Sequence, residues 1–392
     1  MTAKESPSRE ELVSRAAELV PLLQKNAVWH EENRRLSDDT LAALADSGLL
    51  QLRVPVRYGG YESDMRTVVD VIAELARGDG STAWVMSVYA ISSWMAGLFP
   101  DEVQDEIFTA PGVRVSGILS PTAVAVPAEG GVLLNGKWSF NSGSLHSSWN
   151  TNAAVLMTPE GPQPIMVAVP LAELEIVDDW HTVGLRGSGS VTTIATDLFV
   201  PEARVLPMVP VLQGRHRSVA NAESPIYRAP FMPTACATVA APALGLGRAA
   251  REAFFERLPG RKISYTDYTE QSEAPVTHLQ VADAITRIDE AEFHAHRAAA
   301  LIDTKGPTGE EWTLEERARI RLDLGGVCAR TKEAVDILNT ASGGSSIYSA
   351  VPIQRIERDV QALNLHAILH PNTNLELYGR IACGLGPNTL YL

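Results

Sequence analysis

The sequence predicts a mostly helical α+β protein in which a small β domain separates two helical regions. Three observations support this class. Residues 1–112 carry apolar side chains at helical spacing, residues 113–205 show short alternating runs between turn residues, and residues 206–392 return to long helical patterns. Because periods of 3.6 and 2 residues mark helices and strands, we predict three domains with these boundaries.

The N-terminal region predicts several helices, one of them fully buried. Leu12, Ala16, Leu19 and Leu23 recur at three- and four-residue spacing, as an amphipathic helix requires. A later helix that begins at Ser81 is apolar nearly all round. A helix of that composition is expected inside the protein.

The central region predicts a β barrel or sandwich of seven or eight short strands. Residues 132–134, then Asn135-Gly136, then residues 137–140 predict a hairpin, because Asn-Gly tolerates the positive φ angles of a tight turn. Residues 203–233 are rich in Pro, Arg and Ser and predict a long loop.

The last third predicts a four-helix bundle. Helical patterns cover residues 235–258, 276–303, 314–341 and 351–382.

Composition excludes several classes of protein. The net charge of −14 disfavours nucleic acid and anionic membranes as partners. No apolar run is long enough to span a membrane, and the N-terminus lacks a signal-peptide pattern, so we expect a cytoplasmic protein. The cysteines, Cys236, Cys328 and Cys383, are too widely spaced for a zinc or redox motif, so we expect buried small side chains and no metal.

Five segments then resemble one family. They are Leu49 to Pro55 with Tyr58-Gly59-Gly60, Gly80 to Trp84, Gly136 to Gly143, Gly184 to Ser190 with Phe199-Val200-Pro201, and Pro352 to Asp359. Together with the order of helices, β domain and bundle, they are similar to the acyl-CoA dehydrogenase superfamily. The resemblance implies the acyl-CoA dehydrogenase fold.

The chain departs from the dehydrogenases at the catalytic base. Where that family usually has a Tyr-Glu-Gly run, this sequence has His366, Ala367 and Ile368, and residues 229–250 contain no Asp or Glu. Removing an α-proton needs a positioned base. His366 instead resembles the histidine of the two-component flavin-dependent monooxygenases. Asp359 and His366 are seven residues apart, which predicts that both lie on one face of the last helix.

That resemblance implies an oxygenase that uses O₂ and externally supplied reduced FAD or FMN, with a slight preference for FADH₂. Such enzymes form a C4a-hydroperoxyflavin that hydroxylates a small aromatic or heteroaromatic substrate or oxidises an amine. It implies that His366 moves protons, as an imidazole can near neutral pH. It also implies that the hydroxyl of Ser142 accepts a hydrogen bond from flavin N5.

The resemblance places further residues around the flavin. Phe140 or Trp138, preferably Phe140, stacks on the isoalloxazine. Arg261 binds the flavin phosphate of a neighbouring subunit, and Gly343 and Gly344 approach the flavin across the same interface. A homotetramer follows from such shared sites.

The apolar helix and the β domain offer candidates for a substrate pocket, namely Trp84, Tyr89, Trp94 and His146. No Gly-X-Gly-X-X-Gly fingerprint opens a helix after a strand, so nicotinamide is expected to be used by a separate NAD(P)H-flavin reductase. Two alternatives remain open, an acyl-CoA dehydrogenase or oxidase and a catalytically inactive helical scaffold. The sequence does not identify the substrate. It also does not distinguish C-hydroxylation from N-oxidation.

Overall fold

The computed structural model describes residues 6–392. Five helices form the N-terminal region. They are α1 (Arg9–Asn33), α2 (Asp38–Asp46), α3 (Met65–Gly78), α4 (Gly80–Ala96) and α5 (Asp101–Ile107). All 17 residues of α4 are buried, as its apolar composition predicts. Asp79 caps α4 by accepting a hydrogen bond from the backbone N of Thr82 at 2.9 Å, which satisfies an otherwise free N–H at the helix start.

Seven strands form one sheet in the order β5-β6-β2-β1-β3-β4-β7. They are β1 (Val115–Ala128), β2 (Gly131–Trp138), β3 (Trp149–Thr158), β4 (Gly161–Pro170), β5 (Glu175–Val177), β6 (Thr192–Pro201) and β7 (Val205–Pro207). Strand β1 is parallel to β3, and the other neighbouring pairs are antiparallel. The predicted strand content is confirmed.

The predicted hairpin at Asn135-Gly136 is wrong. Both residues lie inside β2, where the pairing with β6 shifts register between Leu134 and Gly136. The side chain of Asn135 exchanges two hydrogen bonds with Asp197 across that irregularity, at 3.0 and 2.8 Å. The pair therefore marks a bulge rather than a turn. The turn that joins β1 to β2 lies at Gly130, with φ 77°.

The segment predicted as a loop, residues 203–233, is only partly irregular. It contains β7 and a short helix, α6 (Met208–Leu212). Strand β7 pairs with β4 at the edge of the sheet.

Five helices complete the chain. They are α7 (Phe231–Arg257), α8 (Pro275–Lys305), α9 (Leu314–Ala341), α10 (Pro352–Asn364) and α11 (Pro371–Ala382). The prediction of one helix over residues 351–382 is wrong, because a turn separates α10 from α11. Pro371 is the first residue of α11, and proline disfavours a helical backbone in the residue before it.

Two large hydrophobic cores and a small cluster around Leu377 hold the described residues together. The larger lies among the helices, with α4 between α3, α7 and the sheet. The smaller fills the β domain around Trp138. Cys236 and Cys328 are buried in the helical core, as predicted, whereas Cys383 is exposed. In residues 6–392 no helix is long and apolar enough to cross a membrane. The observed elements confirm the α+β class, and the exact domain boundaries stay a prediction.

Candidate active site

The segment that follows β2 is held in an unusual backbone conformation. Phe140 has φ 65° and Gly143 has φ 74°. A side chain at Gly143 would come within 2.8 Å of the Tyr89 ring. Asn141, fully buried, anchors the segment by donating to Asn150 and to Thr193. Positive φ at a non-glycine residue costs free energy, and such residues are enriched at functional sites.

Ser142 lies at the centre of this segment and is almost fully buried, at 4% exposure. Its Oγ accepts a hydrogen bond from Nε1 of Trp84 at 2.8 Å. The same oxygen lies 2.6 Å from Oγ of Ser190. The hydroxyl is therefore fixed in place by side chains from α4 and from the loop before β6.

His366 reaches the same indole from the other side. Its ring meets the Trp84 ring edge to face, with 5.1 Å between the centroids. Burial lowers the pKa of His366 to about 4, so the imidazole is neutral near pH 7. Its Nδ1 is buried and has no hydrogen-bond partner within residues 6–392. A buried unsatisfied nitrogen is costly, which is consistent with a site that binds a ligand.

His366 does not lie on the helix face predicted for it. Helix α10 ends at Asn364, and His366 belongs to the turn before α11. Asp359, on α10, contacts a different partner: its Oδ1 accepts from the backbone N of Leu185 at 2.6 Å. Burial, reinforced by the nearby carboxylate of Asp79, raises the pKa of Asp359 to about 7.

The two aromatic candidates for flavin stacking have opposite environments. Trp138 is fully buried in the β core, and its Nε1 donates to the carbonyl of Ala153 at 2.7 Å. Its ring is not exposed, so of the two candidates it is the less suited to stack on a flavin. Phe140 is 67% exposed and touches Trp180 edge to face. Phe140 is thus the aromatic side chain available to a planar cofactor.

The loop from Gly184 to Ser190 contributes two residues that sequence reasoning did not assign. Ser188 and Ser190, both 2% exposed, lie 2.7 Å apart through their hydroxyl oxygens. Ser190 also contacts Ser142. The alternation of glycine and serine in this segment was the signal that could have identified them.

A second cluster of candidate residues surrounds the loop between α9 and α10. Arg261 donates to the carbonyl of Ser342 and, at 3.4 Å, to Ser345 Oγ. Arg257 donates to the same hydroxyl at 3.1 Å, and its Nη1 is buried with no partner in the described chain. Gly343 lies beside Arg261, and Gly344 follows it in the exposed loop. Two guanidinium groups beside an exposed glycine loop can bind an anion such as a phosphate through charge-assisted hydrogen bonds.

The two clusters lie far apart within one subunit. Gly80, at the start of α4, packs against Leu246 of α7, and Trp84 lies one turn further along α4, away from the end of α7. Arg257 is eleven residues beyond Leu246 on α7, which corresponds to about 16 Å along the helix axis. Arg261 lies past that end.

Two of the substrate-pocket candidates, Tyr89 and Trp94, have structural contacts instead. Tyr89 donates to the carbonyl of Gly143 at 2.7 Å, and Trp94 donates to the carbonyl of Ile226 at 3.0 Å while stacking on Tyr227. Both are at least 98% buried. His146 is half-buried, and burial together with the charges of Arg35 and Arg114 lowers its pKa to about 4. Of the four candidates, only Trp84 contacts Ser142 and His366 in the described structure.

A cavity of about 370 Å³ adjoins the turn that carries His366. Ala367 and Ile368 line it, together with Leu119 of β1 and Met232 at the start of α7. Arg321 and Glu376 supply charged groups of opposite sign to its wall. Its volume lies at the small end of the range for small-molecule pockets. Across residues 6–392, no group of three or more His, Cys, Asp or Glu side chains is placed to hold a metal ion.

Two family models match the chain at either side of the sheet. Residues 8–111 match the acyl-CoA dehydrogenase N-terminal domain, and residues 237–371 match the acyl-CoA dehydrogenase C-terminal domain. The chain therefore belongs to the acyl-CoA dehydrogenase family, which confirms the predicted fold.

Individual relatives place it in one branch of that family. The chain is 30% identical over 390 residues to the flavin-dependent monooxygenase oxygenase subunit HsaA of Mycobacterium tuberculosis, with 99% of each covered. It is 29% identical to the FADH₂-dependent resorcinol hydroxylase oxygenase component of a Rhizobium species, covering 97% of this chain and 96% of that one. The structure of XiaF from Streptomyces with FADH₂ and glycerol superposes with a TM-score of 0.91 and 34% identity, with 97% of each chain covered.

The branch is that of the oxygenase components of two-component flavin-dependent monooxygenases. The predictions of a flavoprotein and of a monooxygenase are thereby confirmed. The carboxylate that a dehydrogenase needs is absent from both expected sequence positions, so no observation favours the dehydrogenase alternative.

Proposed function

We propose that this enzyme hydroxylates a small aromatic substrate with O₂ and reduced flavin, at a site formed around Trp84. The observation that carries the proposal is the contact of one indole with both Ser142 and His366. Ser142 faces the flavin and His366 faces the substrate. The reduced flavin supplies the electrons and the oxygen activation, while the protein supplies position and proton transfer.

Ser142 fits a reduced flavin because its hydroxyl is held rigidly and retains acceptor capacity. Flavin N5 carries a hydrogen in the reduced state, and a hydroxyl oxygen can accept it. Phe140, exposed beside this segment, offers its ring to the isoalloxazine. Both assignments rest on the geometry of residues 140–143.

His366 fits a phenolic substrate because it is neutral and has an unsatisfied nitrogen. A neutral imidazole accepts a hydrogen bond from a phenol, which makes the aromatic ring richer in electrons. A pKa of about 4 makes it a weak base, so the proton moves only as charge develops on the ring.

An aromatic substrate is favoured over an amine. The cavity wall carries both Arg321 and Glu376, so its charge does not decide between the two. The preference rests on the neutral imidazole of His366, whose free nitrogen can accept a hydrogen bond from a phenol. The resorcinol hydroxylase relative is named for a phenol. The cavity of about 370 Å³ would admit a small ring system.

Arg257 and Arg261 support a flavin phosphate site shared between subunits. Because they lie far along α7 from Trp84, we assign them to a different flavin from the one that Trp84 adjoins. That flavin is bound by a neighbouring subunit in a homotetramer. Reduced FAD is preferred to reduced FMN, in line with the names of two similar proteins. A separate NAD(P)H-flavin reductase supplies it, in the cytoplasm.

Product analysis under ¹⁸O₂ tests this function. The enzyme, a flavin reductase, NADH and FAD would be incubated with a panel of phenols and a matched panel of aryl amines. We expect one ¹⁸O atom in a ring-hydroxylated phenol, and its loss in His366→Ala. Formation of hydrogen peroxide alone with every phenol, or ¹⁸O on nitrogen only, would contradict the proposal.

A further inference from the structure

Three buried serine hydroxyls form a single file between Trp84 and the backbone of Leu185. Trp84 Nε1 donates to Ser142 Oγ at 2.8 Å. Ser142 and Ser190 are 2.6 Å apart, and Ser190 and Ser188 are 2.7 Å apart, oxygen to oxygen. Ser188 Oγ donates to the carbonyl of Leu185 at 2.7 Å. None of the three serines is more than 4% exposed.

The two ends of the file fix the direction of every bond in it. An indole N–H can only donate and a carbonyl can only accept, whereas each hydroxyl has one proton. Ser188 uses its proton on Leu185, so Ser190 must donate to Ser188. Ser142 must then donate to Ser190.

One competing acceptor is close to Ser142. The carbonyl of Phe140 lies 3.4 Å from Ser142 Oγ, beyond the usual range of about 2.5 to 3.0 Å for an O–H···O bond. The contact with Ser190 at 2.6 Å is far shorter. The proton of Ser142 therefore points along the file.

The accepting end of the file is rigid. Leu185 has φ 50°, and its backbone N donates to Asp359 at 2.6 Å. Its carbonyl also accepts from Nε1 of Trp180 at 3.1 Å. Leu185 is thus held through both its N–H and its carbonyl, which keeps the carbonyl directed at Ser188.

We infer that Ser188 and Ser190 are positioning residues that make Ser142 an obligate acceptor and so cause the site to select reduced over oxidised flavin. Ser142 Oγ donates its one proton to Ser190 and uses one of its two lone pairs to accept from Trp84. One lone pair is left, so Ser142 can only accept a hydrogen bond from the flavin. Reduced flavin offers an N–H at N5, whereas oxidised flavin offers a second lone pair and is repelled. This inference rests on the proposed function, which places flavin N5 at Ser142.

The test compares the affinities of both flavin states in the full-length protein. Oxidised FAD and, under anaerobic conditions, reduced FAD would be titrated into wild type and Ser190→Ala by equilibrium dialysis. In Ser190→Ala the proton of Ser142 becomes free to reach N5 of oxidised flavin. We expect the ratio of Kd for oxidised to Kd for reduced FAD to fall about tenfold, since a net hydrogen bond of this kind changes affinity by that order. The midpoint potential of bound FAD should fall by about 30 mV.

Ser144→Ala is a matched control. Ser144 is fully buried two residues from Ser142, and its Oγ has no hydrogen-bond partner in the described part of the chain. The ratio should be unchanged in this variant. Ser188→Ala, at the other end of the file, should lower the ratio in the same direction as Ser190→Ala and provides a second test should Ser190→Ala not fold.

The possible results distinguish a failure of this inference from a failure of the proposed function. Equal affinity of wild type for both flavin states, or an unchanged ratio in the folded serine variants, would overturn the inference while flavin binding stands. Failure of wild type to bind reduced FAD at all would overturn the proposed function as well.

Discussion

The ring of Trp84 lies edge to face against the ring of His366, 5.1 Å between centroids, while its Nε1 donates to Ser142. One buried indole from α4 thus joins the two residues to which we assign flavin and substrate. The residues themselves come from separate elements, the segment after β2 and the turn after α10. Both residues contact Trp84, although they are far apart in the sequence.

Replacing His366 by alanine should uncouple oxygen use from product formation. Without the imidazole, the substrate hydroxyl loses its proton acceptor, and product formation should fall by about 10² to 10⁴. Binding of reduced flavin should persist, and hydrogen peroxide should appear in place of product. His278→Ala serves as a control, because that histidine is exposed and contacts only the carbonyl of Ser272. Equal product yields from both variants would remove His366 from the site.

Neutralising Asp359 should change how stability depends on pH. Burial and Asp79 raise the pKa of this carboxyl to about 7, although Arg355 and Arg358 partly oppose the rise. Between about pH 4 and pH 7 the folded chain holds a proton that the unfolded chain has released. The protonated Asp359 therefore contributes its full share of the free energy of unfolding below about pH 4, and this share is lost as the pH rises through 7.

Asp359→Asn keeps the acceptor for the Leu185 N–H but cannot ionise. Relative to wild type, it should gain free energy of unfolding between pH 5 and pH 8, by at most about 4 kcal/mol at 1.4 kcal/mol per pKa unit. Urea unfolding at both pH values measures the gain. Asp178→Asn, which removes an exposed carboxylate paired with Arg34, should show no such gain. A constant difference between Asp359→Asn and wild type would show that Asp359 is ionised throughout.

Arg261→Ala should weaken binding of flavins that carry a phosphate and spare riboflavin. A charge-assisted hydrogen bond to phosphate corresponds to about 10- to 100-fold in affinity. The Kd values of reduced FAD, FMN and riboflavin would be compared with those for Arg215→Ala, an exposed arginine elsewhere on the surface. An equal loss for riboflavin would indicate a general disturbance of the site rather than a phosphate contact.

Mixed oligomers test whether Arg261 serves a neighbouring subunit. Ser142→Ala and Arg261→Ala subunits, each impaired alone at limiting FAD, would be co-expressed with different tags and purified as hybrids. If the two residues act on one flavin from different subunits, some sites in a hybrid contain both intact residues and activity rises above that of either parent. Hybrids no more active than their parents would place both residues in the same subunit.

Periodicity and family motifs predicted much of this molecule. The fully buried α4, the sheet and α9 follow from patterns that are local in sequence. Ser142 and His366 were identified through resemblance, and the structure brings both to Trp84. These are features for which local preference and tertiary packing agree.

The errors arise where tertiary contacts override local preference. Asn135-Gly136 favours a turn, but the pairing of β2 with β6 and the bonds to Asp197 keep it inside a strand. Trp138 is the last residue of β2 and packs inward, whereas Phe140 follows the strand with φ 65°, so the alternation of the strand does not extend to it and its exposure could not be predicted. The alternation of glycine and serine marks the loop of Ser188 and Ser190, but their contact with Ser142 joins segments that are distant in sequence and depends on tertiary packing. Pro371, by contrast, was a visible signal for the helix break that was overlooked.

Stopped-flow absorbance tests the central claim most directly. The protein with anaerobically reduced FAD would be mixed with oxygenated buffer in the absence of substrate. We predict an absorbance band distinct from both reduced and oxidised flavin that is long-lived in wild type and shorter-lived in Ser142→Ala. Immediate appearance of oxidised flavin, with FMN as well as FAD and at the rate of free flavin, would contradict it.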